Sequence, residues 1–379
     1  MNNRINILLF SHTTPPIHGA AIIGDYVKDY IFKEYKNAYY INLSSASHNN
    51  SEYFFGNKIF NSLKKVIKFS AYLIKFRPSI IYFTPTVANA GFYRDFFISI
   101  IQKIICTVFF INSRFIFHLH MRPYKAGTLK KYILFPIFFY KNEVVFNSLL
   151  LKYDYKKWTF NFSKLYELLN FVPEICPRES VLSNVDRFNN FRKRKITILY
   201  YGHLIDSKGY KRALEIAKNL HILKFDFTVL FYGNFYNVED MSYFNDFVCC
   251  NNLENYVHYN GFCENENKEF VFSNTDIFIL PSYSESYPLS ILESMSFGIP
   301  VIATNTGAIS GILTPETGIL IDQVSSEEVY IKNFISGIQY VLNNWSSEFS
   351  MLSIARFGEI SNENNFRKKL LNILNNQHD

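Results

Sequence analysis

The first 180 residues alternate short apolar runs with longer segments in which apolar residues recur every three or four positions. The short runs predict buried strands and the longer segments predict helices, because side chains alternate along a strand and repeat every 3.6 residues along a helix. A helix is predicted from about Ala20 to Lys36, after a loop rich in Thr, Pro and Gly. The predicted strands of this half are Ile5–Phe10, Tyr39–Leu43, Ile80–Phe83, Arg114–His120 and Val144–Asn147.

The same alternation starts again near residue 196, after a polar stretch at Ser183–Lys195 that predicts a linker. Helices are predicted at Tyr210–His221 and Leu289–Ser296. The predicted strands are Ile196–Tyr201, Phe227–Tyr232, Val257–Tyr259, Asp276–Leu280 and Pro300–Ala303. Apolar strands joined by helices are typical of parallel sheets covered on both faces. We therefore predict an α/β protein of two doubly wound, Rossmann-like domains facing each other across a cleft, with ligands beyond the carboxyl ends of the strands.

Composition narrows the class of protein. A chain of 379 residues that is 48% hydrophobic and 19% charged is not a disordered protein, and its length suits two domains. The five cysteines have no CxxC spacing, so neither a zinc site nor a disulfide framework is predicted and a cytoplasmic location fits. The opening run Met1–Phe10 is too short for a signal peptide and predicts a first strand. No apolar run is long enough to predict a transmembrane helix.

Charge is distributed unevenly along the chain, although the net value is +7. Residues 1–180 hold 23 Lys and Arg against 10 Asp and Glu, whereas residues 181–379 hold 16 against 22. Three apolar segments of the basic half carry or adjoin basic residues: Lys58–Arg77, with lysines between apolar residues at helical spacing, Phe92–Phe117, and Tyr132–Tyr140, which lies between lysines. Such helices either face a core with solvated lysines or lie in a lipid interface. Their number favours peripheral contact with the cytoplasmic membrane surface over nucleic acid, for which no motif is present.

Two glutamates separated by seven residues carry the most specific chemistry. Glu285 follows a predicted strand, and a helix is predicted to begin near Pro288, a residue suited to a first turn. The backbone N–H groups at that helix start favour a phosphate. Glu293 lies further along the helix, and its carboxylate could accept hydrogen bonds from sugar hydroxyls.

The segment Glu285…Glu293…Gly298-Ile-Pro300-Val301 resembles the Glu-x7-Glu and Gly-x-Pro-Val pattern of the retaining, GT4-like glycosyltransferases of the GT-B fold. That family includes sucrose-phosphate synthases and mannosyltransferases of polysaccharide assembly. The resemblance implies that Glu285 contacts the transferred sugar and Glu293 the ribose of a nucleotide-sugar donor. It also implies a donor-site role for other residues, namely Gly202, Gly261, Phe262, Ser286, Tyr287 and Leu289.

A second match is Gly202-His203-Leu204 followed by Lys208-Gly209, which resembles the family's Gly-Arg-Leu and Lys-Gly. In the family, the arginine and lysine neutralise the donor diphosphate, a role that Lys208 inherits. His203 stands in the arginine position, where a titratable ring replaces a permanent cation. Either a bound diphosphate keeps His203 protonated, or Lys208 supplies most of the leaving-group stabilisation.

In the first domain, Gly19 lies in the loop between the first strand and the first helix, where the family has a glycine-rich loop and commonly two glycines. The resemblance also implies a histidine at a strand end near the reacting sugar. His120 is the better match by position, and His118 is the alternative unless it is a core histidine. A metal pair at these histidines lacks an obvious third ligand. The sequence has no Asp-x-Asp, so we expect no metal and no cofactor beyond the nucleotide sugar itself.

Together these features predict a metal-independent retaining glycosyltransferase with His120, Glu285 and Lys208 as catalytic residues. Residues 1–180 are predicted to bind the acceptor, residues 190–355 the donor, and residues 356–379 to form a helix packing back on the first domain. The expected acceptor is a lipid-linked oligosaccharide of O-antigen or capsule synthesis, at the inner face of the cytoplasmic membrane. A nucleotide-sugar epimerase of the same fold and a non-catalytic nucleotide-sugar-binding subunit are the alternatives.

Overall fold

The computed structural model describes residues 2–44, 55–87, 91–123, 133–156, 162–173, 195–263 and 265–377. The chain forms two compact units. The first comprises Met1–Asn170 together with Asn364–Asp379, and the second comprises Phe171–Glu363. Of the predicted linker, residues 183–194 lie outside the described residues.

In the described part of the first unit, six strands form a parallel sheet in the order β2-β1-β3-β4-β5-β6. The strands are β1 (Asn2–Ser11), β2 (Tyr35–Asn42), β3 (Ile80–Phe83), β4 (Arg114–Leu119), β5 (Glu143–Phe146) and β6 (Lys164–Glu167). The helices between them are α1 (Gly19–Glu34), α2 (Phe55–Phe76), α3 (Gly91–Val108) and α4 (Phe135–Phe139), and a 3-10 segment covers Leu149–Tyr155.

The described part of the second unit contains another six-stranded parallel sheet, in the order β12-β11-β10-β7-β8-β9. Its strands are β7 (Ile196–Tyr201), β8 (Phe227–Tyr232), β9 (Val257–Tyr259), β10 (Ile277–Leu280), β11 (Val301–Thr304) and β12 (Gly318–Ile321). Its helices are α5 (Tyr210–Ile222), α6 (Val238–Cys250), α7 (Asn265–Ser273), α8 (Leu289–Ser296), α9 (Ile309–Ile312), α10 (Glu327–Asn344) and α11 (Ser347–Ile360). The chain then forms α12 (Glu363–Asn375), which packs in the first unit.

Strand order fixes which face of the first sheet each helix covers. The connections from β2 to β3, from β3 to β4 and from β4 to β5 all step in the same direction across the sheet, whereas β1 to β2 steps the other way. Because crossover connections between parallel strands are right-handed, α2, α3 and α4 share one face and α1 lies on the opposite face.

Aromatic rings fill the core beneath this helix layer, which accounts for part of the high phenylalanine content. The ring of Phe10 on β1 stacks against Phe69 of α2 and Phe83 of β3, with centroids 5.3 and 5.1 Å apart. Phe117 of β4 lies 4.7 Å from Phe138 of α4. Aromatic pairs at these separations add to the free energy gained from burial alone.

These two sheets confirm the predicted fold class, but three details of the sequence prediction were wrong. The first helix ends at Glu34 and not at Lys36, because Tyr35 already has an extended backbone and pairs in β2. The segment Phe92–Phe117 is not one helix, since α3 ends at Val108 and β4 begins at Arg114. The strands β6 and β12 were missed; β6 is a half-buried edge strand with little hydrophobic signal.

Arg114 holds the last helix against the first sheet. Its guanidinium donates two hydrogen bonds to the carboxylate of Glu143, at 2.8 and 2.7 Å. It also donates to the carbonyl oxygens of Leu374 and Ile373, at 2.6 and 2.8 Å, near the C-terminus of α12. Carbonyls in the last turn of a helix lack the usual partner four residues on, so an arginine at this end adds a hydrogen bond to them and interacts favourably with the helix dipole.

We expect Arg114→Met to destabilise the first unit by about 3 kcal/mol, because it leaves the buried Glu143 carboxylate without its cation. The measurement is thermal unfolding followed by circular dichroism. The matched control is Arg367→Met, which removes a more exposed pair at 3.6 Å between α12 and Glu34 and should cost well under about 1 kcal/mol. Equal losses in the two variants would contradict the role given to Arg114.

Candidate functional site

An ion pair joins the two predicted catalytic residues of the second unit. The ammonium of Lys208 donates a hydrogen bond to Oε2 of Glu285 at 2.7 Å. Oε1 of the same carboxylate accepts from the hydroxyl of Ser282 at 2.8 Å. Glu285 is buried, whereas a third of the Lys208 side chain is exposed. The lysine therefore holds the carboxylate in place and keeps part of its ammonium accessible.

The pair forms where two neighbouring strands end. Lys208 lies in a 3-10 turn after β7, and Glu285 lies in the loop after β10. Gly209 permits the turn to approach this loop, because its φ is +73° and a Cβ there would lie 2.1 Å from the carbonyl oxygen of Pro281. On the other side, a Cβ on Gly307 (φ +63°) would lie 1.9 Å from the carbonyl oxygen of Glu285. Any side chain at either glycine would displace the loop.

The buried side chain of Tyr200 holds the turn that contains Lys208. Its hydroxyl lies 3.0 Å from the carbonyl oxygen of His203 and 3.1 Å from that of Lys208. Burial, followed by the nearby charge of Glu285, raises the pKa of Tyr200 well above its usual value. The phenol therefore stays protonated and able to donate to these carbonyls.

The second predicted glutamate also has a buried cation. The ammonium of Lys268 on α7 donates to Oε1 of Glu293 on α8 at 2.6 Å, and both side chains are buried. The ammonium also lies over the ring of Tyr201, 5.5 Å from its centroid. Lys268 neutralises a carboxylate that would otherwise lie uncompensated in a low-dielectric site.

The histidine in the family's arginine position packs on an aromatic ring. The rings of His203 and Tyr236 lie 4.9 Å apart with an interplanar angle of 30°. This packing places the imidazole beside the end of β7, two residues after Tyr201.

The predicted glycines line the carboxyl ends of three adjacent strands. Gly202 follows β7, Gly233 follows β8, and Gly261 comes two residues after the end of β9. The amide of Gly233 donates to the carbonyl oxygen of Gly261 at 2.8 Å. A Cβ built on Gly202 or Gly261 meets no atom within 4 Å, so the space above these strand ends is open. Phe262 is partly exposed beside Gly261.

The remaining predicted donor residues surround the start of α8. Ser286 accepts a backbone hydrogen bond from Ala308 at 2.9 Å, while Tyr287 and Leu289 are mostly buried. Pro288 is the N-cap of α8, and no side chain caps this helix. The first amides of α8 therefore begin directly after the loop that holds Glu285.

A stacked arginine, Arg212, holds the loop that contains Glu285. The guanidinium of Arg212 lies between the rings of Tyr283 and Tyr330, 3.6 and 3.8 Å from their centroids. It also donates two hydrogen bonds to Glu327 at 2.9 and 2.6 Å. These contacts connect α5, the loop of Glu285 and α10, and only the planar fork of arginine suits stacking and bidentate pairing together.

In the first unit, the two predicted histidines lie side by side at the end of β4. Their ring centroids are 4.0 Å apart, as expected for residues on the same side of a strand. Nδ1 of His118 lies 2.6 Å from the hydroxyl of Tyr82, and the amide of Asn147 donates weakly to Nδ1 of His120 at 3.4 Å. The Nε2 atoms of both histidines are buried and have no hydrogen-bond partner among the described residues.

Burial also determines the protonation of these histidines. It lowers the pKa of His118 to about 3. Burial, followed by the neighbouring His118 and His18, lowers the pKa of His120 well below its usual value. Both rings are therefore neutral near pH 7, when each can donate one hydrogen bond and accept one.

Gly19 begins α1, directly after the N-cap His18, whose Nδ1 accepts from the amide of Ala21 at 3.2 Å. The preceding loop is tied to the helix by Asp25, whose carboxylate accepts from the amide and the hydroxyl of Thr14 at 3.2 and 2.6 Å. Asp25 therefore holds the loop against the first helix.

No group of three His, Cys, Asp or Glu residues in the described part of the chain is arranged to hold a metal ion. Among the described helices, none has the length and apolar character needed to cross a membrane.

Sequence reasoning missed Lys268, Arg212 and Tyr236. Lys268 and Tyr236 stand in segments without a recognisable motif. Their importance depends on partners 25 and 33 residues away along the chain, Glu293 and His203. Arg212 had one available signal, because it lies four residues after the predicted phosphate-binding lysine.

Residues 183–350 match the family model described as "Glycosyl transferases group 1". A 41.2 kDa uncharacterised protein in the cps region of Klebsiella pneumoniae is 28% identical over 145 residues, 37% of this chain and 37% of the relative. The 2-deoxystreptamine N-acetyl-D-glucosaminyltransferase of Niallia circulans is 30% identical over 129 residues, 34% of this chain and 32% of the relative. The matches thus span about a third of the length of these curated relatives.

Solved structures resemble the chain over nearly its whole length. Sucrose-phosphate synthase from Thermosynechococcus elongatus has a TM-score of 0.73 and 16% identity, with 98% of this chain and 99% of the other covered. Anabaena HepE in complex with UDP-glucose has a TM-score of 0.70 and 13% identity, with coverages of 98% and 100%. At these identities the likeness concerns the fold, which is that of the GT-B glycosyltransferases. The matched residues 183–350 lie in the second unit, which is thus similar to the group 1 glycosyltransferases.

We expect acid to destabilise the first unit through His118. Its folded pKa of about 3 lies below the unfolded value of 6.5. The contribution of this group to the free energy of unfolding is therefore fully present above pH 6.5 and is lost as the pH falls toward 3. At pH 5 the loss from this group is about 2 kcal/mol. The melting temperatures at pH 7.5 and pH 5 should therefore differ less in His118→Gln than in the unchanged protein. The control is His258→Gln, which changes an exposed histidine and should show the same difference as the unchanged protein. Identical pH dependence in all three proteins would refute the assignment.

Proposed function

We propose that this protein is a retaining glycosyltransferase that moves a sugar from a nucleotide-sugar donor to an acceptor hydroxyl. The observation that carries the proposal is the Lys208–Glu285 pair at adjacent strand ends, beside the uncapped start of α8. This arrangement lies inside the segment that matches the group 1 family. It offers a cation and backbone amides to a diphosphate, and a carboxylate to the hydroxyls of a sugar.

The donor diphosphate would bind at Lys208 and the first amides of α8. An ammonium has three donors and Glu285 takes one of them, which leaves donors for phosphate oxygens as negative charge develops on the leaving group. Stabilisation of such developing charge by fixed dipoles and cations is usually the largest contribution to catalysis. His203, beside the same strand end, would supply a further hydrogen bond or charge to the diphosphate.

The nucleoside would occupy the open space above Gly202 and Gly261. Glu293 would accept hydrogen bonds from the ribose hydroxyls through the carboxylate oxygen that Lys268 does not hold. Lys268 is important here because an uncompensated carboxylate would repel the anionic donor, whereas the neutralised pair does not. UDP-sugars are the first donors to test, since a protein of the same fold has been solved with UDP-glucose.

In the reaction, the bond from the anomeric carbon to the diphosphate oxygen breaks. The acceptor oxygen forms a new bond to that carbon on the same face, and the acceptor proton passes to the departing diphosphate. No protein nucleophile is needed, and Glu285 orients the sugar. By the family resemblance, the neutral ring of His120 would hydrogen-bond a sugar hydroxyl during the transfer. We expect this chemistry to need no metal.

We infer that the acceptor is a lipid-linked oligosaccharide of a surface polysaccharide, such as O-antigen or capsule, used at the inner face of the cytoplasmic membrane. A relative in the cps region of Klebsiella pneumoniae supports the polysaccharide assignment. The charge excess of residues 1–180, with 23 Lys and Arg against 10 Asp and Glu, supports an anionic acceptor or surface for this half.

The proposal is tested by a donor screen followed by a transfer assay. A nucleotide sugar that raises the melting temperature of the full chain identifies the donor, because a ligand stabilises the state that binds it. Released nucleoside diphosphate is then measured with and without a lipid-linked acceptor, with and without a chelator, and the product linkage is assigned by NMR. Acceptor-dependent release with retained configuration supports the proposal. An isomerised donor formed without acceptor would instead identify an epimerase, and binding without any release a non-catalytic subunit.

We expect Lys208→Ala to lower acceptor-dependent nucleoside diphosphate release by about 100-fold or more, because the leaving group loses its cation. Lys211→Ala is the matched control: it removes a lysine three residues away whose ammonium bonds Asp206 at 2.7 Å, and it should change the rate by less than about threefold. His203→Arg should remain active. Melting temperatures establish that each variant is folded. Full turnover by folded Lys208→Ala would refute the phosphate role.

A further inference from the structure

Helix α3 buries three polar residues together with Phe92 and Ile98, and it exposes large apolar residues. Asp95, Ser99 and Gln102 are buried, and the hydroxyl of Ser99 has no partner among the described residues. Four of its five exposed positions are large and apolar, namely Tyr93, Phe97, Ile104 and Val108, with exposed fractions of 44 to 62%; the fifth is Thr107. A helix at a water-facing surface normally exposes charged and polar residues, so the exposed side of this helix is matched to an apolar surrounding.

The exposed apolar residues of α3 form a single stripe. They are spaced by four, seven and four residues, which at 100° per residue places them within about 60° of one another. The buried polar residues lie on the other side of the helix. The stripe continues into the turn after the helix, where the side chain of Phe110 is 93% exposed.

Helix α2 also exposes a stripe of apolar residues, with lysines beside it. Phe60, Leu63, Ile67 and Ile74 are exposed and also fall within about 60° around the helix axis. The buried residues Phe69 and Leu73 lie on the opposite side. Along one edge of the stripe stand lysines whose ammonium groups lie over aromatic rings at 4.3 to 5.4 Å, namely Lys64 over Phe60, Lys68 over Tyr72 and Lys75 over Phe76.

The two stripes belong to one surface. Helix α2 packs against α3, and α3 packs against α4, on the same face of the first sheet. Helix α4 and its ends add the exposed residues Ile133, Ile137 and Tyr140. We call the exposed side of these three helices the α2–α4 face. An apolar surface that continues across three helices exceeds what a protein normally exposes to water, and it indicates an interaction site.

Charge identifies the occupant of the α2–α4 face. Residues 53–142 contain 14 Lys and Arg but a single acidic residue, Asp95. That carboxylate is buried and paired with Arg94 at 2.6 Å, so it offers no negative charge to a partner. A second copy of this face would bring lysines against lysines. Apolar stripes edged by lysines are instead complementary to anionic headgroups above an apolar layer.

We propose that the α2–α4 face is a membrane-docking surface that lies on an anionic phospholipid bilayer, with the stripes of α2 and α3 in the acyl boundary and the lysines at the headgroups. This deepens the proposed function, because it names the surface through which the first unit would reach a lipid-linked acceptor. It uses none of the donor-site residues. Docking and sugar transfer can therefore succeed or fail independently.

The test is flotation of the full chain with vesicles, in the absence of donor. Vesicles of equal parts phosphatidylglycerol and phosphatidylcholine should carry the protein, whereas phosphatidylcholine alone should carry much less. The triple variant Lys64→Gln, Lys68→Gln, Lys75→Gln should lower the partition coefficient about 100-fold. The double variant Ile67→Ser, Phe97→Ser should lower it at least tenfold on both kinds of vesicle. All five side chains are at least partly exposed, so the variants should fold, and melting temperatures verify this.

Matched controls carry the same changes on the second unit. The triple control removes three exposed lysines of that unit, by Lys195→Gln, Lys224→Gln and Lys332→Gln. The double control removes two exposed apolar side chains, by Val238→Ser and Phe270→Ser. Both controls should float like the unchanged protein. Absence of flotation, or equal losses in face and control variants, would overturn the proposal. So would a concentration-dependent dimer, measured by light scattering, that the double face variant abolishes. Transfer to a water-soluble acceptor, measured on the same variants, reports separately on the proposed function.

Discussion

The donor-site geometry of the second unit depends on one ion pair, between a lysine in the turn after β7 and a glutamate in the loop after β10. The two strands are neighbours in the sheet, so their carboxyl ends bring Lys208 and Glu285 to 2.7 Å. Because the carboxylate is buried, it requires the lysine, and the lysine in turn is held beside the start of α8. The close approaches at Gly209 and Gly307 leave the loop little freedom to move away.

Two further cations of the second unit, Lys268 and Arg212, each pair with a carboxylate and also pack on aromatic rings. Lys268 compensates a buried glutamate and also packs over Tyr201. Arg212 is stacked between two tyrosines and is bonded to Glu327, so it orders the loop without occupying the open space above the strand ends. Both arrangements keep carboxylates and cations in fixed positions. A site arranged in advance in this way loses less free energy to reorganisation when an anionic ligand binds.

The first unit follows a different constraint. Its interior is crowded with aromatic rings, and its two strand-end histidines, His118 and His120, are neutral because they are buried. In its helix layer, α3 buries Asp95 and Gln102 among apolar residues and exposes Phe97. This arrangement suits a domain that has a polar site at the ends of its strands and contacts an apolar surrounding through the α2–α4 face.

The sequence by itself determined five of the six strands and two of the helices in the described part of the second unit, and where Lys208, Glu285 and Glu293 lie relative to them, because strand runs, the helix start at Pro288 and motif spacing are local properties. It could not determine the partners of those residues. Lys268, Arg212 and Tyr236 act on groups distant in the chain, and only strand order brings them together. Periodicity likewise identified the amphipathic segments but not which side of α3 is buried. That choice is made by packing against the sheet, which is a tertiary interaction that a single helix cannot specify.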